Sequence, residues 1–454
     1  MSYRALCFLL PALLALTAIA PLAAAAPLEI CTFQVDATPP LGTPLCSSAV
    51  PAASEIVDRL SARGIVLLGQ GKPIVLCAVD WVGIGGAGYD AWRETLAEAA
   101  GTSPDRVAVH TLHQHDAPSC DFDAERLLAS RGLSGTMFNV AFAQETIARA
   151  AAAVRKSLAS PTRVSHLGIG VAPVAEVASN RRVLGPDGKV AHVRYSSCTD
   201  PAVRAAPEGV IDPLVRCLSL WDGERPVVVL TYYATHPQSY YGKGGVSCDF
   251  VGLARAEREA ALPEVAHIHF NGASGNVAAG KYNDGSPAMR PLLASRLAAG
   301  MRAAWEATQK TPITADDLAW RTVDVKLPLS DLLQAEQPLL ATLNNGSARA
   351  TDRVRAAIDI VWARRVKPIE LACLRIGPAY VLHMPGELFI EYQLAAASLK
   401  PAATVCMAAY GDYAPGYIGT EISYSQGGYE TGPASRVAPN VERVLTDGMR
   451  KLLE

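Results

Sequence analysis

The sequence lacks the marks of several large protein classes. Only 6% of its 454 residues are aromatic, the formal net charge is -2, and no extended run of lysine and arginine occurs. A chain whose main partner is nucleic acid needs a basic stripe, so that partner is excluded. Beyond the first 26 residues no apolar run is long enough to span a bilayer, which excludes a membrane-embedded mature protein. No internal repeat and no low-complexity tract is found after that first stretch, so solenoid and disordered architectures are excluded as well.

What is present begins with an N-terminal leader. Arg4 supplies a positive start, Ala5 to Leu22 is apolar but interrupted by Pro11 and Pro21, and Ala23 to Ala26 are small. This is the pattern of a cleaved secretory signal over residues 1–26, and it predicts a secreted or periplasmic protein with a mature domain over residues 27–454. Of the ten cysteines, Cys7 leaves with the signal. Cys77, Cys217 and Cys373 lie in apolar runs and are expected to be small buried hydrophobes. Cys31 with Cys46, and Cys120 with Cys248, are candidate bridges in an oxidising compartment.

The remainder alternates apolar, β-branched runs with helical periodicity. Strands are expected at 64–70, 73–80, 106–110, 227–231, 265–270 and 380–383. Helices are expected at 89–100 (stopped by Gly101), 141–158, 287–308 and 439–453. This alternation predicts an α/β protein, with mixed β-sheets covered by helices in a single large catalytic domain. The polar, helical stretch 330–365 is expected to be a surface insertion.

Three of the nine histidines fall within six residues, at His110, His113 and His115, directly after the strand 106–110. If the chain stays extended, His113 and His115 point the same way, and two imidazoles aimed at one point suit zinc. A hydrogen-bonded loop pair explains the same spacing. His236 ends another strand, just before Pro237, where it either faces a cleft or caps the structure. Glu387 follows the turn Pro385-Gly386 and is expected to open a helix, whose dipole favours a carboxylate there. The segment from Tyr410 to Glu430 concentrates tyrosine and glycine in a chain poor in aromatics, as a loop folded over a polar site would. His267 and His269, inside an apolar run, are expected to be structural. Asp80 is expected to be at most a neighbour of the site.

Taken in order, these segments resemble the neutral ceramidase family of secreted zinc amidases. The family's His-Thr-His-Ser-Gly-Pro motif matches the run from His113 to Pro118. Its second histidine loop matches Ala234-Thr235-His236, and its Pro-Gly-Glu turn matches Pro385-Gly386-Glu387. Its tyrosine region matches Tyr417-Ile418 with Tyr429 twelve residues on, and its substrate-side Asn-Arg matches Asn180-Arg181. The resemblance implies that His113, His236, Glu387 and Tyr417 hold Zn2+. It also implies that His115 orients water or carries a proton, and that Asn180, Arg181 and Tyr429 bind the substrate carbonyl or a nearby hydroxyl. Zinc activates water and polarises a carbonyl, and phenol and guanidinium donors steady the resulting oxyanion. Hydrolysis of an amide (N-acyl) bond is the implied reaction, with a small or lipid-like substrate.

The sequence departs from the family where its active-site serine falls on Ala278, with Ser274 out of register. Asp116-Ala117 replaces Ser-Gly, and the chain ends where the family continues into a C-terminal β-sandwich. These changes predict a substrate other than ceramide, smaller or more polar. Two further functions are compatible with the same residues. One is a zinc-dependent ester or lactone hydrolase. The other is a non-catalytic secreted protein whose zinc is structural.

Overall fold

The computed structural model describes Met1 and residues 27–454, and the proposed leader at 2–26 lies outside the described residues. Three larger sheets organise the chain. The first has the order Val107–Thr111, Ile74–Val79, Ser61–Leu68, Leu28–Asp36, Thr162–Val164. The second has the order Ala266–Asn271, Arg225–Tyr233, Leu214–Asp222, His166–Pro173, Gln309–Pro312. The third has the order Leu318–Val325, Ile369–Ile376, Ala379–His383, Thr404–Ala408.

Each sheet is antiparallel except at one edge, where a crossover adds a parallel strand. The parallel pairs are Ile74–Val79 with Val107–Thr111, Arg225–Tyr233 with Ala266–Asn271, and Ala379–His383 with Thr404–Ala408. Parallel strands need helical crossovers, and these follow: Gly86–Ala100, Asp249–Ala261 and Ile390–Leu399 bridge the three pairs. Strands so covered are apolar on both faces, and Ile74–Val79 is buried at every residue.

The three sheets turn faces toward one another around a central core that includes Ile65, Leu76, Leu218, Leu230, Leu374 and Val381. The outer face of the first sheet packs on Gly86–Ala100 and Val140–Ser157, and Ala350–Ala363 joins the same apolar layer by packing on Phe122–Ala129. The outer face of the third packs on Ile390–Leu399 and Val441–Leu453. Local signals explain the helix limits. Gly101 ends the first helix in the left-handed region, at φ 67°, where glycine has no Cβ to clash. Asn139 caps the second by accepting from the Phe142 amide.

The expected alternation of strands and helices is what folds, as a mixed α/β protein. The expected strand pair at 64–70 and 73–80 is an antiparallel hairpin with Leu67 opposite Ile74. Three expectations need correction. Glu387 does not open a helix. It pairs with Tyr417 in a two-residue parallel bridge, and the helix begins at Ile390. The stretch 330–365 forms two helices, Glu336–Asn344 and Ala350–Ala363, and the second buries Val354, Ala357 and Ile360 in the core rather than lying on the surface. Neither candidate disulfide forms: Cys31, Cys46, Cys120 and Cys248 are all free thiols. Cys31 lies mid-strand near Ser157, whereas Cys46 sits in a turn bonded to the Ala117 carbonyl. Cys120 lies against Gly88, and Cys248 against Gly252 of the helix it precedes. Among the described residues no helix is long and apolar enough to cross a membrane.

Candidate metal centre

Open α/β sheets carry their sites beyond the carboxyl ends of parallel strands. Here the parallel pairs of all three sheets end at one place. Backbone bonds lock them together. Thr111 donates to the Tyr410 carbonyl at 3.0 Å, Ala409 to Asn271 at 2.9 Å and Gly272 to Tyr233 at 2.9 Å. The Asn271 amide donates to the Leu112 carbonyl at 3.2 Å. His110, from the first sheet, meets His383, from the third, at 2.9 Å between ring nitrogens. The loops leaving these strand ends carry His113, His236, Glu387 and Tyr417.

His113, His236 and Glu387 are buried, and one ligand atom from each lies within 4.8 Å of the others. His236 Nε2 is 3.0 Å from Glu387 Oε2, and His113 Nε2 is 3.3 Å from the same oxygen. The Tyr417 hydroxyl is 3.4 Å from His236 Nε2. The opposite ring nitrogens are tied to backbone carbonyls, which can only accept. His113 Nδ1 lies 2.6 Å from the Val82 oxygen, and His236 Nδ1 lies 2.7 Å from that of Ser274. Each Nδ1 therefore carries the proton, and each Nε2 presents a lone pair to the same point. Burial, helped by the Arg181 charge, lowers the His236 pKa to about 4, so its ring is neutral at neutral pH. Two imidazole lone pairs and a carboxylate oxygen facing one another in a buried space are mutually repulsive until a cation lies between them. The donor set of neutral imidazole nitrogens and a carboxylate suits zinc.

The geometry that brings His113 and His115 together is not the extended strand expected from their spacing. His113 has φ 73°, in the left-handed region that a histidine adopts only at a cost. The kink turns its ring inward, and His115 comes alongside with Nε2 atoms 3.4 Å apart. His115 is half-buried and rests against the exposed Tyr241 ring at 4.8 Å. Burial, with the neighbouring histidines, holds its pKa well below that of a free imidazole.

Arg181 forms the other wall. Its Nη2 is 3.1 Å from the Tyr417 hydroxyl, and it also donates to the Gly275 carbonyl. The guanidinium lies 5.4 Å from the ring centres of both Tyr417 and Tyr429. Burial works against its charge, but the Tyr417 and Tyr429 phenols and the Glu430 carboxylate outweigh it. Burial raises the Tyr417 pKa well above its usual value even with Arg181 alongside. Asn180 is not brought to this group: its amide donates to the Val210 carbonyl and accepts from the Arg182 backbone, which shapes the turn before Arg181. Ala278 is fully buried and paired with Ser179. Ser274 is also buried, with its hydroxyl 2.7 Å from that of Tyr410.

His267 and His269 lie away from the site and are buried. They flank Arg63 and Arg255, the latter paired with Asp80 at 2.7 Å. Sequence reasoning passed over Tyr413, whose hydroxyl donates to Glu387 Oε1 at 2.6 Å, and Glu430, which lies 3.7 Å from Arg181 and 3.3 Å from Arg182. Both residues lie in the tyrosine- and glycine-rich segment from Tyr410 to Glu430, whose composition marks a loop over a polar site without singling out either one. A cavity of about 430 Å³, lined by Cys46, Val82, Ile358, Glu387, Tyr413 and Tyr417, opens beside the cluster.

No family model and no curated protein matches this sequence. Solved structures do match, among them the following two. One, titled as a ceramidase complexed with C2, aligns with a TM-score of 0.68 over 94% of this chain and 75% of its own, at 16% identity. The other, a neutral ceramidase from Pseudomonas aeruginosa, gives 0.69 over 94% of this chain and 74% of its own, at 17% identity. At this level of identity the likeness speaks for architecture alone, and that architecture is a ceramidase-like α/β fold.

Proposed function

We propose that the chain is an exported zinc-dependent amidohydrolase that cleaves an N-acyl bond, with residues 27–454 as the hydrolase domain. The observation that carries this reading is the convergence of His113, His236 and Glu387 with their proton-free atoms turned inward. Tyr417, 3.4 Å from His236, is the fourth candidate ligand.

A Zn2+ ion held there supplies Lewis-acid polarisation of a carbonyl and a nucleophilic water near neutral pH. The residues around it divide the remaining work. Arg181 and Tyr429 offer donors to the oxygen that gains charge when the carbonyl is attacked. His115 is neutral, half-exposed and within reach of the same space, so it can take a proton from the nucleophile and return it to the leaving amine. Buried Glu430 keeps Arg181 charged and in place. Asn180 supports substrate binding by shaping the turn that presents Arg181.

His115, Tyr417 and Tyr429 are half-exposed beside the cluster, which favours an open catalytic site over a closed structural one. A buried alanine at position 278, where the resemblance places the family's serine, favours an N-acyl substrate other than ceramide. The test is metal analysis of the purified protein, with a fluorogenic amide and ester panel run with and without chelator. One equivalent of zinc, and amide turnover lost on chelation and in His113→Ala, are expected. Turnover untouched by both would sink the proposal. Turnover of esters alone would move the function to an ester or lactone hydrolase, and bound zinc without turnover would leave a binding protein.

A further inference from the structure

Tyr413 is held with unusual care for a residue outside the candidate ligand set. Its amide donates to the Ile84 carbonyl at 3.0 Å, and its own carbonyl accepts from Gly416 at 3.0 Å. Its ring occupies the space above Gly83, where a Cβ would come within 2.4 Å of Tyr413 Cδ1. The ring also lies 5.4 Å from that of His113. Phenylalanine would fill the same volume, so packing does not call for the hydroxyl. Among the described residues that hydroxyl has one hydrogen-bond partner, Glu387 Oε1 at 2.6 Å.

We propose that Tyr413 is a positioning residue for the metal centre: it occupies Glu387 Oε1 and so leaves Oε2 alone to join His113 and His236. The inference rests on the metal reading above and goes beyond it. A free carboxylate can rotate and bind a cation through both oxygens. One tied at 2.6 Å by a fixed phenol presents a single oxygen, and Oε2 is the oxygen that lies 3.0 and 3.3 Å from the two imidazole nitrogens. One-oxygen binding leaves coordination space on the side where Tyr417 and the half-exposed His115 stand. Outer hydrogen bonds of this kind typically change metal affinity by about 10–100-fold.

The test is competition titration of zinc into the full metal-free chain, wild type against Tyr413→Phe, with thermal unfolding of both metal-free proteins. The expected result is zinc affinity weakened about 10–100-fold in the variant, with the metal-free form only modestly destabilised because the buried Glu387 oxygen loses its donor. A purely structural tyrosine would lower metal-free stability and leave affinity alone, and affinity within about twofold of wild type overturns the inference. X-ray absorption on zinc-loaded wild type needs no variant: one carboxylate oxygen at the metal supports the inference, and two overturn it. Failure of wild type to bind zinc at all would remove the metal reading itself, and this inference with it.

Discussion

Replacing Glu387 by glutamine separates two accounts of the buried cluster. The side chain keeps its shape. The Tyr413 hydroxyl, a donor 2.6 Å from Oε1, selects the amide oxygen for that side. The amide nitrogen then takes the place of Oε2, 3.0 Å from His236 Nε2 and 3.3 Å from His113 Nε2. If both nitrogens carry lone pairs, because their Nδ1 protons are committed to the Val82 and Ser274 carbonyls, the new amide donates where a carboxylate could only repel. One net hydrogen bond is worth about 1 kcal/mol, so metal-free Glu387→Gln should be more stable than metal-free wild type by about that amount. The same change should abolish the stabilisation that zinc confers on wild type, because the anionic ligand is gone. If the carboxylate instead holds a protonated histidine, breaking a buried ion pair should cost about 3–5 kcal/mol. Urea unfolding of metal-free protein at neutral pH, wild type against variant, reads the sign directly. Loss of stability on that scale would refute the account of an evolved cation site.

Other outcomes follow from the same geometry. Arg181→Lys should lower kcat/KM for the amide substrate by about 10²-fold or more, because one ammonium cannot reproduce a planar guanidinium that neighbours two tyrosine rings and donates to Gly275 and Tyr417 together. Near-normal steady-state kinetics would remove it from the site. Arg255→Met should cost about 3–5 kcal/mol in urea unfolding, since Asp80 is fully buried and would lose its bidentate partner. Zinc affinity should not change, because that pair lies away from the ligands. Stability should also fall in mild acid. Burial lowers the His110 pKa to about 4 and the His269 pKa to about 3, so both are neutral when folded and take up protons on unfolding. Their contribution is complete above about pH 6.5 and declines below it, by up to about 1.4 kcal/mol per pH unit for each ring. His269→Asn should flatten that slope between pH 6 and 4, and an unchanged slope would show that His269 does not titrate on unfolding.

Much of this was legible because apolar periodicity survives in a chain whose helices and parallel strands are buried. Runs such as 73–80 and 227–231 read as strands from composition alone. The candidate ligands were legible only as separate weak signals whose order along the chain resembled a known family. What stayed hidden was non-local or conformational. The kink at His113 depends on contacts with Trp81 and Val82 that its own sequence does not show. Glu387 looked like a helix opener because a Pro-Gly turn before a carboxylate fits that pattern, yet pairing with Tyr417, thirty residues later, takes precedence. Cysteine spacing suggested bridges that the fold does not make, since Cys31 lies mid-strand while Cys46 sits in a turn, and Cys120 packs on Gly88 while Cys248 packs on Gly252.

Because its donors come from the ends of strands in three separate sheets, the cation site has no partial version. An intermediate with only the first sheet in place would offer, of the three grouped donors, His113 alone, too weak to compete for scarce metal. If the site takes up zinc, capture would come late in maturation, and added zinc should slow unfolding of the finished molecule far more than it hastens its assembly.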